Sequence, residues 1–186
     1  MKTYDLKFGL VGAGVIAQTY AQVFQDSSLG RIVGVADTRL EAAQAVAEVL
    51  GCGSYSSAAE LAEKVNLDAV IVCTPPSTHV ELCLLFLARS AHVLCEKPLS
   101  VDSRGARTLL EAARQAGRIL AMAAKFRYAE DVVRAKSILL SGLLGEACAL
   151  HVTFRAPVDM SRRWISPGAR RTWLGITCRS PVRVEA

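Results

Sequence analysis

No apolar run in the 186-residue chain is long enough to cross a bilayer. The longest uninterrupted ones cover residues 82–88 and 119–124, far short of the ~18–20 residues a spanning helix needs. A membrane partner is therefore not expected. Zinc-ligand spacing is also missing. The six cysteines (52, 73, 83, 95, 148 and 178) include no pair separated by two residues and no Cys/His cluster, so no metal is expected. The cysteines read as reduced thiols of a cytoplasmic protein, with Cys73, Cys95 and Cys148 inside buried strands. A signal peptide is not expected either. Asp5 interrupts the basic start, and Gly9, Gly12 and Gly14 break the apolar stretch over 8–17. Internal repeats and low-complexity tracts are absent.

Charge of one sign is scarce over most of the chain. The formal net charge is +5, yet residues 1–150 hold 15 basic and 15 acidic side chains. The whole excess lies in residues 151–186, with seven Arg and two acids. Residues 161–186 contain no lysine and show neither helical nor strand periodicity. A basic patch without a recognisable motif is no argument for nucleic acid, so no nucleic-acid partner is expected.

What is present is a body that is 52% hydrophobic, enough to build a core. Short β-rich runs alternate with longer helical ones. Strands are expected at 7–11, 31–36, 54–55 (weak), 68–73, 91–95, 118–124 and 147–155. Helices are expected at 15–25, 38–50, 57–65, 78–90, 103–116 and 130–141. Three helix starts carry a hydroxyl residue with Glu three positions later, the capping-box pattern: Thr38/Glu41, Ser57/Glu60 and Thr78/Glu81. The 68–73 strand is apolar on both faces, as in a covered parallel sheet. This alternation predicts an α/β fold with a doubly wound parallel sheet of Rossmann type. Ligands bind such sheets at the carboxyl ends of the strands, which directs attention to residues 12–15, 37–39, 73–79, 95–98 and 124–128.

The first of these segments, Gly12-Ala-Gly14-Val15-Ile16-Ala17, has the dinucleotide fingerprint with alanine at its third small position. Gly12 permits the tight turn, Gly14 leaves room for a pyrophosphate, and Ala17 lets helix and strand pack closely. The start of the helix offers unpaired N–H groups to the phosphates. Asp37, ending the second strand and followed by Thr38 and Arg39, can accept hydrogen bonds from the adenosine ribose. An acid there favours NAD. Arg39 keeps NADP as the alternative, since it can pair with a 2′-phosphate.

Two later segments, Cys73-Thr74-Pro75-Pro76-Ser-Thr-His79 and Cys95-Glu96-Lys97-Pro98, narrow the reading. With the glycine loop, their order and spacing resemble the glucose–fructose oxidoreductase/inositol dehydrogenase (Gfo/Idh/MocA) family over about residues 5–165. Lys125-Phe-Arg127-Tyr and the turn over 141–146 fit the same pattern.

The resemblance implies an NAD(P)-binding Rossmann domain over 1–124, a connecting helix over 125–146, and a substrate domain of α+β type from 147 on. It implies hydride transfer between nicotinamide and a secondary alcohol of a sugar, inositol or similar polyol. It also implies that Cys73, Thr74, Pro75, Pro76 and His79 lie by the cofactor, that Glu96 and Pro98 shape the nicotinamide end, and that Arg127 approaches it. Lys97 is implied to be both cofactor-binding and catalytic. A lysine ammonium beside the reacting oxygen stabilises developing alkoxide charge and can exchange its proton. His151 is expected to be structural, and no role is assigned to His92, Asp159, Arg162, Arg163 or Trp164.

The resemblance ends near residue 165. The glycine-rich and Asp-x-Gly-x-His segments that the family carries next are missing, and no histidine follows His151. The substrate domain is therefore expected to be a truncated remnant with an aberrant basic tail, consistent with a change of reading frame near Pro167. A lone strand would leave an unpaired edge, so the family's homo-oligomers are not expected to form normally. The alternative to an enzyme is a dinucleotide-binding module without catalysis.

Overall fold

The structure, a computed structural model, describes residues 5–146, 148, 150–154 and 176–180. The chain divides into two units, Met1–Lys125 and Phe126–Ala186.

The first unit alternates strand and helix throughout. Its strands are β1 (Leu6–Val11), β2 (Gly30–Ala36), β3 (Gly53–Tyr55), β4 (Ala69–Val72), β5 (His92–Cys95) and β6 (Leu120–Met122). Its helices are α1 (Val15–Gln25), α2 (Leu40–Leu50), α3 (Ala58–Lys64), α4 (His79–Ala88) and α5 (Ser103–Ala116). The strands form one six-stranded sheet in the order β3-β2-β1-β4-β5-β6, with every pairing parallel. This is the doubly wound fold the sequence predicts. The chain winds outward from β1 to β3, then restarts beside β1 with β4, leaving a crevice at the carboxyl ends of β1 and β4.

Successive residues of the central strands serve opposite faces. Val70 and Val72 pack with Leu61, Phe86 and Leu109 of α3, α4 and α5. Ile71 packs with Ala17 and Ala21 of α1 and with Ala43 and Ala47 of α2. Alanines at these contacts bring α1 and α2 close to the sheet. Burial on both faces is why β4 reads as an unbroken apolar run. Phe86 is 1% exposed, and burial of such a side chain contributes about 1.5–3 kcal/mol.

One of the three expected capping boxes forms in part, its back-bond shifted to the residue before the cap. The Ser57 hydroxyl accepts from Glu60 N at 3.1 Å, while the Glu60 carboxylate reaches back to Ser56 N at 2.9 Å. Thr38 does not cap α2. Arg39 occupies the cap position because the Asp37 carboxylate takes the Arg39 N–H at 2.9 Å, turning the chain one residue later. Thr78 does not cap α4 either. A 3-10 turn over Pro76–Thr78 precedes that helix, and the Thr78 hydroxyl instead donates to the Pro75 carbonyl at 2.8 Å. Gly51 and Gly117 close α2 and α5 in the left-handed conformation, with φ of 63° and 62°.

In the second unit, a 3-10 turn (Lys125–Tyr128) leads into helix α6 (Glu130–Leu140), which has no buried residue. Strand β7 (Leu150–Phe154) then pairs antiparallel with β8 (Ile176–Ser180). The expected lone strand and patternless tail are thus corrected. β8 alternates Ile176 and Cys178 with Thr177 and Arg179, a period too short to count beside its Arg-rich surroundings. Cys148 is corrected as well, being exposed and outside β7. Asp159, Arg162, Arg163, Trp164 and Pro167 lie outside the described residues.

Candidate functional site: the carboxyl edge of the sheet

The first half of the edge is built by the loop after β1 and the end of β2. Gly12 has φ +92°, and a Cβ there would sit 2.8 Å from the Cys73 carbonyl carbon and oxygen. Only glycine fits this left-handed turn pressed against the end of β4. Its N–H donates to the Ala36 carbonyl at 2.8 Å. Gly14 caps α1 without any side-chain bond, and a Cβ on it would meet nothing within 4 Å. Val15 and Ile16 in the first helical turn are 87% and 43% exposed, whereas Ala17 is fully buried. The helix start therefore opens onto free space, N–H groups outward, as an anion site requires.

Asp37 joins the two elements of this half. Its Oδ2 accepts the Ala13 N–H at 2.7 Å and its Oδ1 the Arg39 N–H at 2.9 Å. The Arg39 Nε lies 3.7 Å from Oδ1, with most of the guanidinium in solvent. Each oxygen retains a lone pair for a further donor. Thr38 beside them is exposed.

The second half comprises the loops after β4 and β5. Cys73 N donates to the Val11 carbonyl at 2.7 Å, carrying the sheet ladder past β4. The Cys73 thiol is pushed up to about 12, chiefly by burial and then by the Glu96 charge, so it stays a neutral, unreactive thiol. Thr74 is half-buried, while Pro75 and Pro76 are exposed. Glu96 N donates to the Val72 carbonyl at 2.9 Å. Its side chain accepts from the Tyr20 hydroxyl at 3.1 Å through Oε1 and from Lys97 N at 3.2 Å through Oε2. Burial, then the Glu96 charge, raise the Tyr20 phenol above its ordinary value, which keeps it a donor to that carboxylate. Lys97 and Pro98 are exposed on a turn joined by a cis Lys97–Pro98 bond. The Lys97 ammonium has no hydrogen-bond or ion-pair partner among the described residues.

His79 begins α4. It is fully buried, the one buried polar side chain among the described residues. Its Nδ1 lies 2.8 Å from the Pro98 carbonyl and its Nε2 2.9 Å from the Thr74 carbonyl. The ring has no exposed surface, and both nitrogens face backbone carbonyls of the loops after β4 and β5. His92, given no role by the sequence, accepts the Ile119 N–H at 2.9 Å beside the β5–β6 pairing. Arg127 is exposed in the second unit.

The sequence signal for Tyr20 was only its place on α1, where it reads as one apolar residue of an amphipathic helix. Its bond to Glu96 spans 76 positions and has no local pattern.

The residues present fit a dinucleotide: open space at a helix start for the pyrophosphate, an acid at the end of β2 for the ribose, and, just beyond β5, a cation with no partner among the described residues. No helix among the described residues is long and apolar enough to cross a membrane.

A family model described as an oxidoreductase family with an NAD-binding Rossmann fold matches residues 6–124. Inositol 2-dehydrogenase of Pseudomonas savastanoi pv. phaseolicola is 35% identical over 82% of this chain and 46% of the relative. Inositol 2-dehydrogenase 4 of Saccharopolyspora erythraea is 34% identical over 83% of this chain and 47% of the relative. The WlbA dehydrogenase of Bordetella pertussis, solved with NADH and UDP-GlcNAcA, superimposes with a TM-score of 0.73 at 26% identity, over 76% of this chain and 43% of that one. The chain thus spans about half the length of the relatives it matches. By the family match over residues 6–124 and by these relatives, the chain belongs to the Gfo/Idh/MocA oxidoreductases, a family with an NAD-binding Rossmann fold.

Proposed function

We propose that the chain binds a nicotinamide dinucleotide along the carboxyl edge of its sheet, as the cofactor half of a dehydrogenase acting on a secondary alcohol of an inositol, sugar or similar polyol. The observation that carries this reading is the shared edge. The open start of α1 at Gly14 and the unpaired Lys97 ammonium stand on one side of one sheet. In strand order, the adenosine half belongs with β2 and Asp37, and the nicotinamide half with β4, β5 and Lys97. Thr74, Pro75 and Pro76 would flank the cofactor, with Cys73 beneath them. Asp37 would hold the ribose hydroxyls. Its negative charge opposes a 2′-phosphate, which favours NAD over NADP, while Arg39 is the residue that would pair with that phosphate.

When bound, the nicotinamide accepts or donates the hydride. The Lys97 ammonium, with no partner among the described residues, would hold the substrate oxygen, stabilise its developing negative charge and exchange its proton. Arg127 is assigned to the nicotinamide end by the family pattern alone. Free cysteines among the described residues fit a cytoplasmic setting.

The second reading is a module that holds the dinucleotide without turnover. It rests on the same residues, since Gly12, Gly14, Asp37 and Lys97 all lie within the first unit. Titration of the full chain with NADH is expected to show saturable binding, stronger than with NADPH. Reduction of NAD in the presence of inositol or a polyol panel separates the two readings. Under the enzyme reading, Lys97→Ala keeps NADH binding and lowers turnover by ~100-fold or more, the scale of lost acid–base catalysis. No turnover by the wild-type chain, with binding intact, leaves the module.

A further inference from the structure

We infer that Tyr20 and His79 are positioning residues: two side chains beneath the edge that fix the Glu96–Pro98 turn and, through it, the nicotinamide end of the site. The inference rests on the dinucleotide reading above and assigns neither residue a contact with ligand.

The turn is held from both sides of Lys97. On the chain-preceding side, the Glu96 carboxylate bridges two donors, the Tyr20 hydroxyl from α1 and the N–H of Lys97 itself. Rotation of that carboxylate would release the Lys97 N–H. On the following side, the buried His79 ring lies against the Pro98 carbonyl at 2.8 Å. Its other nitrogen lies against the Thr74 carbonyl at 2.9 Å; a neutral imidazole carries one N–H, so the ring donates to one of these two carbonyls and packs against the other, between the loops after β4 and β5. Lys97 stands between these anchors, exposed and with no side-chain partner among the described residues. An unpaired lysine gains nothing from its own contacts in fixing the backbone that carries it. That order comes from the neighbours, which is the usual way a first layer of functional groups is kept in place.

The two anchors belong to helices that start at the same edge. α1 begins at the open Gly14 site and carries Tyr20 in its second turn. α4 begins with His79 itself. The interactions they make are hydrogen bonds to a carboxylate and to a backbone carbonyl in a partly dry setting, where loss of the donor is costly.

The test compares NADH with ADP-ribose, which keeps adenosine, pyrophosphate and a ribose but has no nicotinamide. Both are titrated calorimetrically into the full chain and its variants. Tyr20→Phe removes one hydroxyl and keeps the ring volume. It is expected to weaken NADH binding about tenfold and to leave ADP-ribose binding within about twofold. His79→Leu is expected to do the same to a greater extent, with His79→Gln, which retains one donor, between it and wild type. If His79→Leu does not fold, Tyr20→Phe decides alone. Equal losses for both ligands, or no loss for NADH, would overturn the inference and leave the dinucleotide reading standing. A wild-type chain that binds neither ligand would remove that reading and the inference with it.

Discussion

The two halves of the carboxyl edge are organised by different means. On the β1/β2 side, the backbone does most of the work. A glycine turn at Gly12, a bare helix start at Gly14 and one acid, Asp37, hold each other through main-chain donors. On the β4/β5 side, the loops are longer and are held from below by side chains that start far away in sequence, Tyr20 and His79. Under the proposed function, the first half would hold what every dinucleotide presents, a pyrophosphate and a ribose. The second must place one reactive ring against one cation, which calls for tighter control of a loop.

The sharpest way to break the first half is at its two glycines, whose surroundings differ. Gly12→Val drives a side chain into the Cys73 backbone from a left-handed φ. It is expected to destabilise the domain by about 2–4 kcal/mol, combining backbone strain and overpacking, measured by urea unfolding. Gly14→Val has open space around its Cβ. It is expected to leave stability within about 0.5 kcal/mol and to abolish measurable NADH binding, because the side chain occupies the pyrophosphate position. If both variants behaved alike, the division between fold and ligand roles within this loop would be wrong.

A smaller effect separates the helix starts. Ser57→Ala removes a real cap bond on α3 and is expected to cost ~1 kcal/mol. Thr38→Ala removes no cap bond and is expected to fall within about 0.5 kcal/mol of wild type. Thermal unfolding of the two variants side by side checks this.

The smallest effect is a pH dependence away from the site. Hydrogen bonds from Lys64, and then from Ser56, hold the Glu60 carboxyl at about 2, below its ordinary 4.5. The folded chain thus binds fewer protons there than the unfolded one. This contribution is present above about pH 4.5 and is lost as pH falls toward about 2. Glu60→Gln is expected to make the acid-side loss of thermal stability shallower by a small margin, the pair being solvent-exposed.

What was legible in the sequence follows the same division. The sheet, its strand–helix alternation and the glycine loop are local signals, with periodicities of a few residues and a turn chemistry that admits few alternatives. α1 and α5 match their expected bounds for that reason. Helix starts were less legible. Thr38 and Thr78 carry the pattern of a cap, but Asp37 and the prolines at 75 and 76 supply competing turns. The anchors of the second half were invisible. Tyr20 looks like a core residue of an amphipathic helix, and His79 like a polar residue at a helix start; only tertiary structure gives them Glu96, Thr74 and Pro98 as partners. β8 escaped notice because five residues with a period of two do not stand out among arginines.

The central claim is that one dinucleotide lies along the whole edge, adenosine at Asp37 and nicotinamide at Lys97. Backbone amide shifts of the isotope-labelled chain test it directly. NADH is expected to move the signals of both 12–15 and 96–97, whereas ADP-ribose moves those of 12–15 and leaves 96–97 in place. Shifts at 12–15 alone with both ligands, or none at either segment with NADH, would contradict the account.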